Sequence, residues 1–113
     1  MDNELAWLEA WYEAQCDEAW EHTYGIRIDT LDNPGWSIRI DLHGTSLEGD
    51  VMPRFVRDAG NEDWMFCEIK DKTFEGHGDP RKLGAILRLF RDWVLQHQDQ
   101  AQSFMAYPRN EQG

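Results

Sequence analysis

Residues 24–42 read YGIRIDTLDNPGWSIRIDL, and this stretch decides the fold class. Isoleucine alternates with charged residues on both sides of a loop, which is typical of two strands with one buried and one charged face. The apolar positions of the two strands are Ile26, Ile28, Ile38, Ile40 and Leu42. The sequence therefore predicts a β-hairpin that lies on a hydrophobic core.

The charges of this hairpin predict its register. In one register each arginine faces an aspartate, and the pairs are Asp29–Arg39 and Arg27–Asp41. Another register, shifted by one position on each strand, places Arg27 opposite Arg39. Opposite charges on facing strands contribute roughly 0.2–1 kcal/mol per pair, whereas like charges are unfavourable, so we expect the first register.

The loop of the hairpin contains Pro34 followed by Gly35. This dipeptide predicts a type II turn in which Gly35 has a positive φ. Type II turns do not match the strand twist of a two-residue hairpin. We therefore expect a longer or bulged connection.

Two segments with helical spacing flank the predicted strands. The first runs from residue 3 to about residue 20, with Asp2 or Asn3 as the N-cap. The second follows Asp79-Pro80, which predicts a capping residue and a proline at the first helical position. Its apolar stripe consists of Leu83, Ile86, Leu87, Phe90, Trp93 and Val94.

Two weaker strands complete the predicted sheet. They span about residues 50–57, where Pro53 indicates an edge strand or a bulge, and residues 64–70. The order α-β-β-β-β-α predicts an α+β fold, in which a four-stranded antiparallel meander packs with an N-terminal and a C-terminal helix. We expect a single domain over residues 1–97 and a flexible C-terminal tail over residues 98–113, where helical periodicity ends.

The chain is strongly acidic. Its 22 Asp and Glu residues and 11 Lys and Arg residues give a net charge of −11, and no Lys or Arg precedes Arg27. This charge disfavours binding to nucleic acid or to anionic membranes, and it attracts a basic partner. Solubility alone is the alternative explanation of the acidity. Without a signal-peptide pattern or an apolar run that could span a bilayer, we expect a cytoplasmic protein.

The sequence carries no recognisable catalytic or metal-binding motif. His22, His43 and His77 stand outside the usual zinc-ligand spacings, and the glycines of GHGDP (residues 76–80) lack the context of a phosphate-binding loop. Cys16 and Cys67 are expected to be free and unreactive thiols. We therefore expect no metal, no cofactor and no enzymatic activity.

Large aromatic side chains stand beside carboxylates around the hairpin, and this combination suits a protein-binding surface. Carboxylates on the first helix and in the hairpin loop extend the candidate site. The predicted partner-binding residues are Glu9, Glu13, Glu21, Tyr24, Asp32, Asn33 and Trp36. A structural role stays open as the alternative for both types of residue. In that alternative the rings of Trp20 and Trp36 fill the core, and the carboxylates of Glu21 and Asp32 stabilise turns.

Most of the chain resembles the immunity protein 53 family. The resemblance covers approximately residues 5 to 95, with a long block over residues 5–49 and a closing segment, FEGHGDPRKLGAILRLFRDWV, at residues 74–94. The matching positions of the first block are Trp11, Tyr12, Gln15, Cys16, Trp20, Glu21, Tyr24, Gly25, Thr30, Leu31, Asp32, Asn33, Pro34, Gly35, Trp36, Asp41, Leu42, Gly44 and Thr45. The segment over residues 53–66 matches loosely.

The resemblance implies an antidote protein of bacterial polymorphic toxin systems, which binds a cognate toxin domain and blocks it. Because nucleases are commonly basic, an acidic inhibitor suits a nuclease toxin. We expect stoichiometric occlusion, with carboxylates pairing to substrate-binding Arg and Lys of the toxin. The competing hypothesis is a small enzyme or a ligand- or metal-binding domain that uses Glu21, His22 and neighbouring loop residues. A deep pocket that held these residues with Tyr24, together with a metal or strongly perturbed carboxylates, would favour that hypothesis.

Overall fold

The structure is a computed structural model that describes the backbone of residues 3–110 and the side chains of residues 3–97. It contains three helices and five strands within this range. Their bounds are α1 Glu4–Gln15, α2 Trp20–Thr23, β1 Ile26–Leu31, β2 Gly35–Asp41, β3 Phe55–Asp58, β4 Trp64–Lys70, β5 Thr73–Gly78 and α3 Leu83–Asn110. The predicted α+β class is confirmed, with an antiparallel sheet and helices at both ends.

The sheet has five strands in the order β1-β2-β5-β4-β3, so the predicted four-stranded meander is wrong in strand number and in order. The additional strand, β5, lies at the centre and pairs antiparallel with both β2 and β4. It follows β4 through the two-residue turn Asp71-Lys72, where φ is 54° and 60°. Such positive φ values are usually supplied by glycine or asparagine, so the turn left no clear sequence signal.

The glycines of β5 are required by the close approach of α3. A Cβ atom at Gly76 would lie 2.5 Å from Cγ2 of Ile86, and one at Gly78 would lie 2.6 Å from Cβ of Lys82. Ile86 is fully buried, so it has little room to move. The two glycines therefore allow helix and sheet to pack together. They also interrupt the alternation of apolar and polar residues by which a strand is predicted from sequence.

Helix α1 begins as predicted but ends earlier. The Asn3 side chain accepts a 3.0 Å hydrogen bond from the backbone N–H of Ala6, which confirms Asn3 as the N-cap. The helix stops at Gln15 instead of extending to about residue 20, and Glu18 then adopts a positive φ of 74°. The Asp17 carboxylate accepts from the N–H groups of Ala19 and Trp20, so side-chain caps replace helical hydrogen bonds in this turn.

The predicted register of the β1–β2 hairpin is wrong. Ile26 faces Ile40 and Ile28 faces Ile38, which places Arg27 opposite Arg39. Arg39 also lies beside Glu75 of β5, with 3.9 Å between the charged groups. The counter-charge of Arg39 therefore comes from a third strand, β5, and not from its hairpin partner β1.

The loop of the hairpin consists of Asp32, Asn33 and Pro34, and the peptide bond before Pro34 is cis. This connection is longer than two residues, as expected. Gly35 is not in the positive-φ region and pairs with Leu31 inside the ladder, so the predicted type II turn is wrong. Glycine is needed there because a Cβ atom would collide with the backbone oxygen of Gly78.

Helix α3 begins at Leu83, so Pro80 is not its first residue as predicted. The Asp79 carboxylate accepts from the N–H of Arg81 and forms a turn ahead of the helix. The helix continues to Asn110 and thus includes much of the segment predicted as a tail. The flexibility of residues 98–113 stays a prediction, and residues 111–113 lie outside the described part of the chain.

The core lies between α1, α3 and one face of the sheet. It contains every residue of the predicted α3 stripe except Leu83, which packs at its edge. Trp20 is also part of the core, which confirms the structural interpretation of this residue. The opposite face of the sheet carries partly or fully exposed side chains, including Ser37, Arg39, Phe66, Glu68, Glu75 and His77.

Candidate functional site

An open cavity of about 540 Å³ lies where α1, α2 and the start of β1 meet. It brings together side chains from three segments of the sequence, which are residues 8–12, residues 21–27 and residue 41. Its lining includes Glu9, Tyr12, Glu21, His22, Tyr24 and Asp41. Three of these residues, Glu9, Glu21 and Tyr24, belong to the predicted partner-binding set, and we call this region the acidic cavity.

The Glu21 carboxylate is engaged by the backbone. Its Oε1 accepts a 3.0 Å hydrogen bond from the N–H of Asp17, and its Oε2 accepts a 2.9 Å bond from the N–H of Glu18. Hydrogen bonds from backbone N–H groups, its own first, hold the pKa of Glu21 below its ordinary value. Glu21 therefore stabilises the α1–α2 turn, which is the structural alternative that the sequence left open.

The Tyr24 ring is fixed by packing against other rings. It stacks parallel to the imidazole of His43, with 4.9 Å between the ring centroids, and its centroid lies 6.3 Å from that of Trp20. The Trp20 indole N–H donates a 2.7 Å hydrogen bond to the backbone oxygen of His43. These contacts hold Tyr24 as a rigid, half-exposed wall of the acidic cavity.

The outer face of α1 carries carboxylates without partners. Glu9 and Glu13 are exposed and form no ion pair with any described side chain, whereas Glu4 pairs with Arg88 at 2.8 Å. Tyr12 lies on the same helix, one position before Glu13, and its side chain is 38% exposed. Unpaired carboxylates beside an exposed ring can attract and hold a cationic group.

The remaining predicted residues lie at the other end of the hairpin. Asp32 and Asn33 are exposed in the loop, and the six-residue strand β1 separates them from Tyr24 by roughly 20 Å. Trp36 is half-buried, and its indole N–H donates a 2.9 Å hydrogen bond to the backbone oxygen of Pro80. The structure thus divides the predicted residues into two groups at opposite ends of β1.

Sequence reasoning missed several residues that line the acidic cavity, and those with an aromatic or charged side chain are Tyr12, Arg27 and Asp41. Tyr12 follows Glu9 by three positions, so helical spacing alone places them on neighbouring surface. Asp41 Oδ2 accepts from the N–H of Gly25 at 2.9 Å, which links the ends of β1 and β2. Only the correct register reveals that contact.

The cavity brings Glu21, His22 and Tyr24 together, which is the geometrical condition of the enzyme or ligand-binding alternative. The chemical condition of that alternative, a carboxylate suited to acid–base catalysis, is not met by Glu21. Its pKa is lowered, whereas a general base near neutral pH needs a raised carboxyl pKa. Among the described residues no group of three or more His, Cys, Asp or Glu has the geometry to hold a metal ion.

The two cysteines are free thiols. Cys67 is fully buried in the core, and this burial raises the pKa of its thiol to about 12. Such a thiol is protonated at neutral pH and is a poor nucleophile.

None of the helices, over the residues that the structure describes, has the length and apolar character needed to cross a membrane.

Comparison with known proteins identifies a family. The family model described as Immunity protein 53 matches residues 5–95 of the chain. No curated protein and no solved structure matches significantly. The matched range includes both groups of predicted residues and every strand of the sheet.

Proposed function

Because the chain belongs to the immunity protein 53 family, we propose that it binds and neutralises a cognate bacterial toxin by stoichiometric occlusion. Membership of an immunity protein family supports toxin neutralisation and a protein partner. The proposal has two finer elements. The toxin is basic, belongs to a polymorphic toxin system and is bound in the cytoplasm. An acidic surface of this chain covers the substrate site of the toxin.

The toxin-binding surface consists of the outer face of α1 and the acidic cavity. The observation that carries this assignment is the pair of exposed carboxylates, Glu9 and Glu13, that lack a partner among the described side chains. A surface whose charges are already paired offers little to a cationic partner. No Lys or Arg precedes Arg27 in the sequence, so no such side chain of α1 or α2 offsets the negative electrostatic potential of this surface.

A basic toxin explains why such a surface would be useful. Nucleases bind phosphate backbones with Arg and Lys, so they present positive charge at their substrate sites. Opposite charge on the inhibitor raises the association rate, which limits the damage done before capture. Carboxylates that pair with these side chains also exclude the substrate from them.

The exposed rings supply the anchoring contacts. Tyr12 and Tyr24 both line the acidic cavity, and Tyr24 is already held by His43. A rigid ring loses little conformational entropy on binding, and aromatic residues are frequent among energetically dominant interface residues. In this proposal the tyrosines provide affinity for the toxin, and the carboxylates raise the association rate and provide specificity.

The loop residues Asp32 and Asn33 form the second part of the same interface. An interface of about 800 Å² on each partner is about 28 Å across, which exceeds the distance of roughly 20 Å along β1. One toxin domain can therefore contact both ends of the strand. Trp36 contributes mainly by holding this end of the hairpin, since its N–H is engaged by Pro80.

Co-purification tests the proposal. The tagged chain is expressed with the catalytically inactivated toxin domain that is encoded beside its gene, and captured protein is identified by mass spectrometry. We expect a basic toxin domain at a ratio of one to one. An acidic partner would contradict the electrostatic part of the proposal, and the absence of any toxin partner would contradict its whole.

A further inference from the structure

We propose that the free edge of β1 accepts an extended segment of the toxin as an additional strand, with one basic side chain of that segment in the acidic cavity. This inference rests on the proposed function and specifies how the toxin is held. It follows from the position of β1 in the sheet, from the direction of its backbone groups and from the chemistry at its start.

β1 is an edge strand. Within the described part of the chain it pairs with β2 alone. The N–H of Asp41 donates a 3.0 Å hydrogen bond to the oxygen of Gly25, so the backbone groups of Gly25 point toward β2. In an antiparallel ladder this direction alternates, so the N–H and C=O groups of Ile26, Ile28 and Thr30 point away from the sheet.

This edge lacks most of the features that prevent strand addition. Natural edge strands are protected by proline, by charged side chains and lysine above all, by bulges or by short length. The two charged side chains of β1, Arg27 and Asp29, have opposite signs, so they do not repel a partner of one sign along the whole edge. β1 contains neither proline nor lysine, and all six of its residues pair with β2 without a bulge. The other edge strand, β3, has four residues and follows closely after Pro53. Ile28 at the middle of β1 is 38% exposed, so the edge combines accessible backbone with apolar surface.

The acidic cavity adjoins the start of this edge. Ile26 and Arg27 of β1 contribute to its lining. The carboxylates in the lining, Glu9, Glu21 and Asp41, outnumber the single guanidinium of Arg27. A segment that pairs with β1 therefore places a side chain beside carboxylates and two tyrosine rings, which favours arginine because its planar cation binds carboxylates and stacks on rings.

Charge also argues that the occupant is a basic toxin and not a second copy of the chain. Two copies joined through their β1 edges would bring together two proteins that each carry a net charge of −11. The unpaired carboxylates Glu9 and Glu13 lie on α1, and Glu9 lines the acidic cavity together with Ile26 at the start of this edge. Like charges disfavour that association, whereas a basic segment is attracted.

Substitution with proline tests the edge directly. Ile28→Pro removes an outward N–H and places the ring where the added strand would lie, while the hydrogen bonds to β2 are retained. Ile28→Ala is the matched control, because it also removes the isoleucine side chain but keeps the N–H. Thr30→Pro and Thr30→Ala form a second pair, in case Ile28→Pro does not fold.

The readout is the affinity of each variant for the inactivated toxin domain, measured by titration calorimetry after circular dichroism has verified folding. We expect the proline variant to bind at least about tenfold more weakly than its alanine control, since one backbone hydrogen bond contributes roughly this factor and a blocked strand loses several. Equal affinities within threefold would overturn strand addition and leave the proposed function standing.

Two further measurements separate the remaining outcomes. Hydrogen exchange of the wild-type complex should show protection of the amides of Ile28 and Thr30, and an unprotected edge in a formed complex would overturn the inference even if no proline variant folds. A dimer of the free chain that Ile28→Pro dissociates would overturn the toxin as the occupant. Failure of the wild type to bind the toxin would instead contradict the proposed function.

Discussion

The Asp79 carboxylate accepts a 2.7 Å hydrogen bond from the Lys82 ammonium group within the turn that leads into α3. Asp79 is fully buried, and it also accepts from the N–H groups of Trp64 and Arg81, each at 2.8 Å. One side chain thus connects the start of β4 with the start of α3. The turn holds the helix against the glycines of β5.

Replacing Asp79 by alanine should destabilise the fold. The N–H of Trp64 and that of Arg81 would lose their acceptor, and unsatisfied donors of this kind cost about 2–4 kcal/mol together. Urea denaturation monitored by tryptophan fluorescence measures the free energy of unfolding. Asp58→Asn, at an exposed carboxylate, is the control and should change it by less than about 0.5 kcal/mol. An Asp79 variant as stable as this control would contradict the structural role.

Acid should destabilise the chain through the same network. Burial alone would raise the pKa of Asp79, but hydrogen bonds from Lys82 and from backbone N–H groups outweigh it, so the pKa is lowered. Hydrogen bonds from Arg57 and then from Lys82 also lower the pKa of Asp63. A lowered carboxyl pKa contributes stability that is complete above the unfolded-state pKa, near 4, and is lost as the pH falls through the folded-state value.

We therefore expect the free energy of unfolding to fall steadily below about pH 4. The decline should be shallower in Asp63→Asn, because that variant has no carboxylate to protonate at this position. Urea denaturation from pH 7 to pH 2 measures both curves. Parallel curves for the wild type and the variant would show that Asp63 does not contribute to acid sensitivity.

The packing of α3 on β5 predicts different effects for two glycine substitutions, one in the strand and one in the helix. Gly76→Ala should destabilise the fold by about 1–3 kcal/mol, because the new methyl group overlaps the buried Ile86. Gly84→Ala is the matched control, since no atom lies within 4 Å of its Cβ position. Its stability should be unchanged or higher by up to about 1 kcal/mol, because alanine favours helix. Thermal unfolding of both variants checks the packing of α3 on β5.

The elements that were predicted correctly are those with strong periodicity. The isoleucine alternation located β1 and β2, the apolar stripe located α3, and β4 runs from Trp64 to Lys70 as predicted. Local polar contacts decided the errors in helix bounds. The carboxylates of Asp17 and Glu21 cap a turn where the apolar pattern continued, and a similar turn at Asp79 delays the start of α3.

Tertiary contacts decided the other errors. β5 has glycine where α3 approaches, and the charge of Arg39 is balanced by Glu75, which is distant in sequence. Of the predicted partner-binding residues, Glu9, Glu21 and Tyr24 line one cavity, and their role in binding stays a prediction. Helical spacing could indicate Tyr12, but no local pattern indicated Asp41, whose contact depends on the hairpin register.

Charge reversal on α1 should slow toxin capture without affecting the fold. Glu9→Lys combined with Glu13→Lys removes unpaired carboxylates from the proposed surface, so the association rate should fall about tenfold or more at low salt. The dependence of the rate on ionic strength should also flatten. Stopped-flow mixing with the inactivated toxin domain measures both quantities.

The control for this experiment is Glu62→Lys, an exposed residue in the β3–β4 turn. It changes the net charge but lies outside the proposed surface, so its effect should be much smaller. If the control and the α1 variants slowed capture equally per charge, net charge alone would explain the rate, and the assignment of the surface to α1 would be wrong.

Titration of active toxin with the wild-type chain distinguishes stoichiometric occlusion from catalytic inactivation. Residual toxin activity should fall linearly and reach zero at one molecule of the chain per toxin, and His22→Ala should leave this endpoint unchanged. Complete inactivation by far less than one equivalent, abolished by the His22 substitution, would mean that the chain acts catalytically and would contradict occlusion.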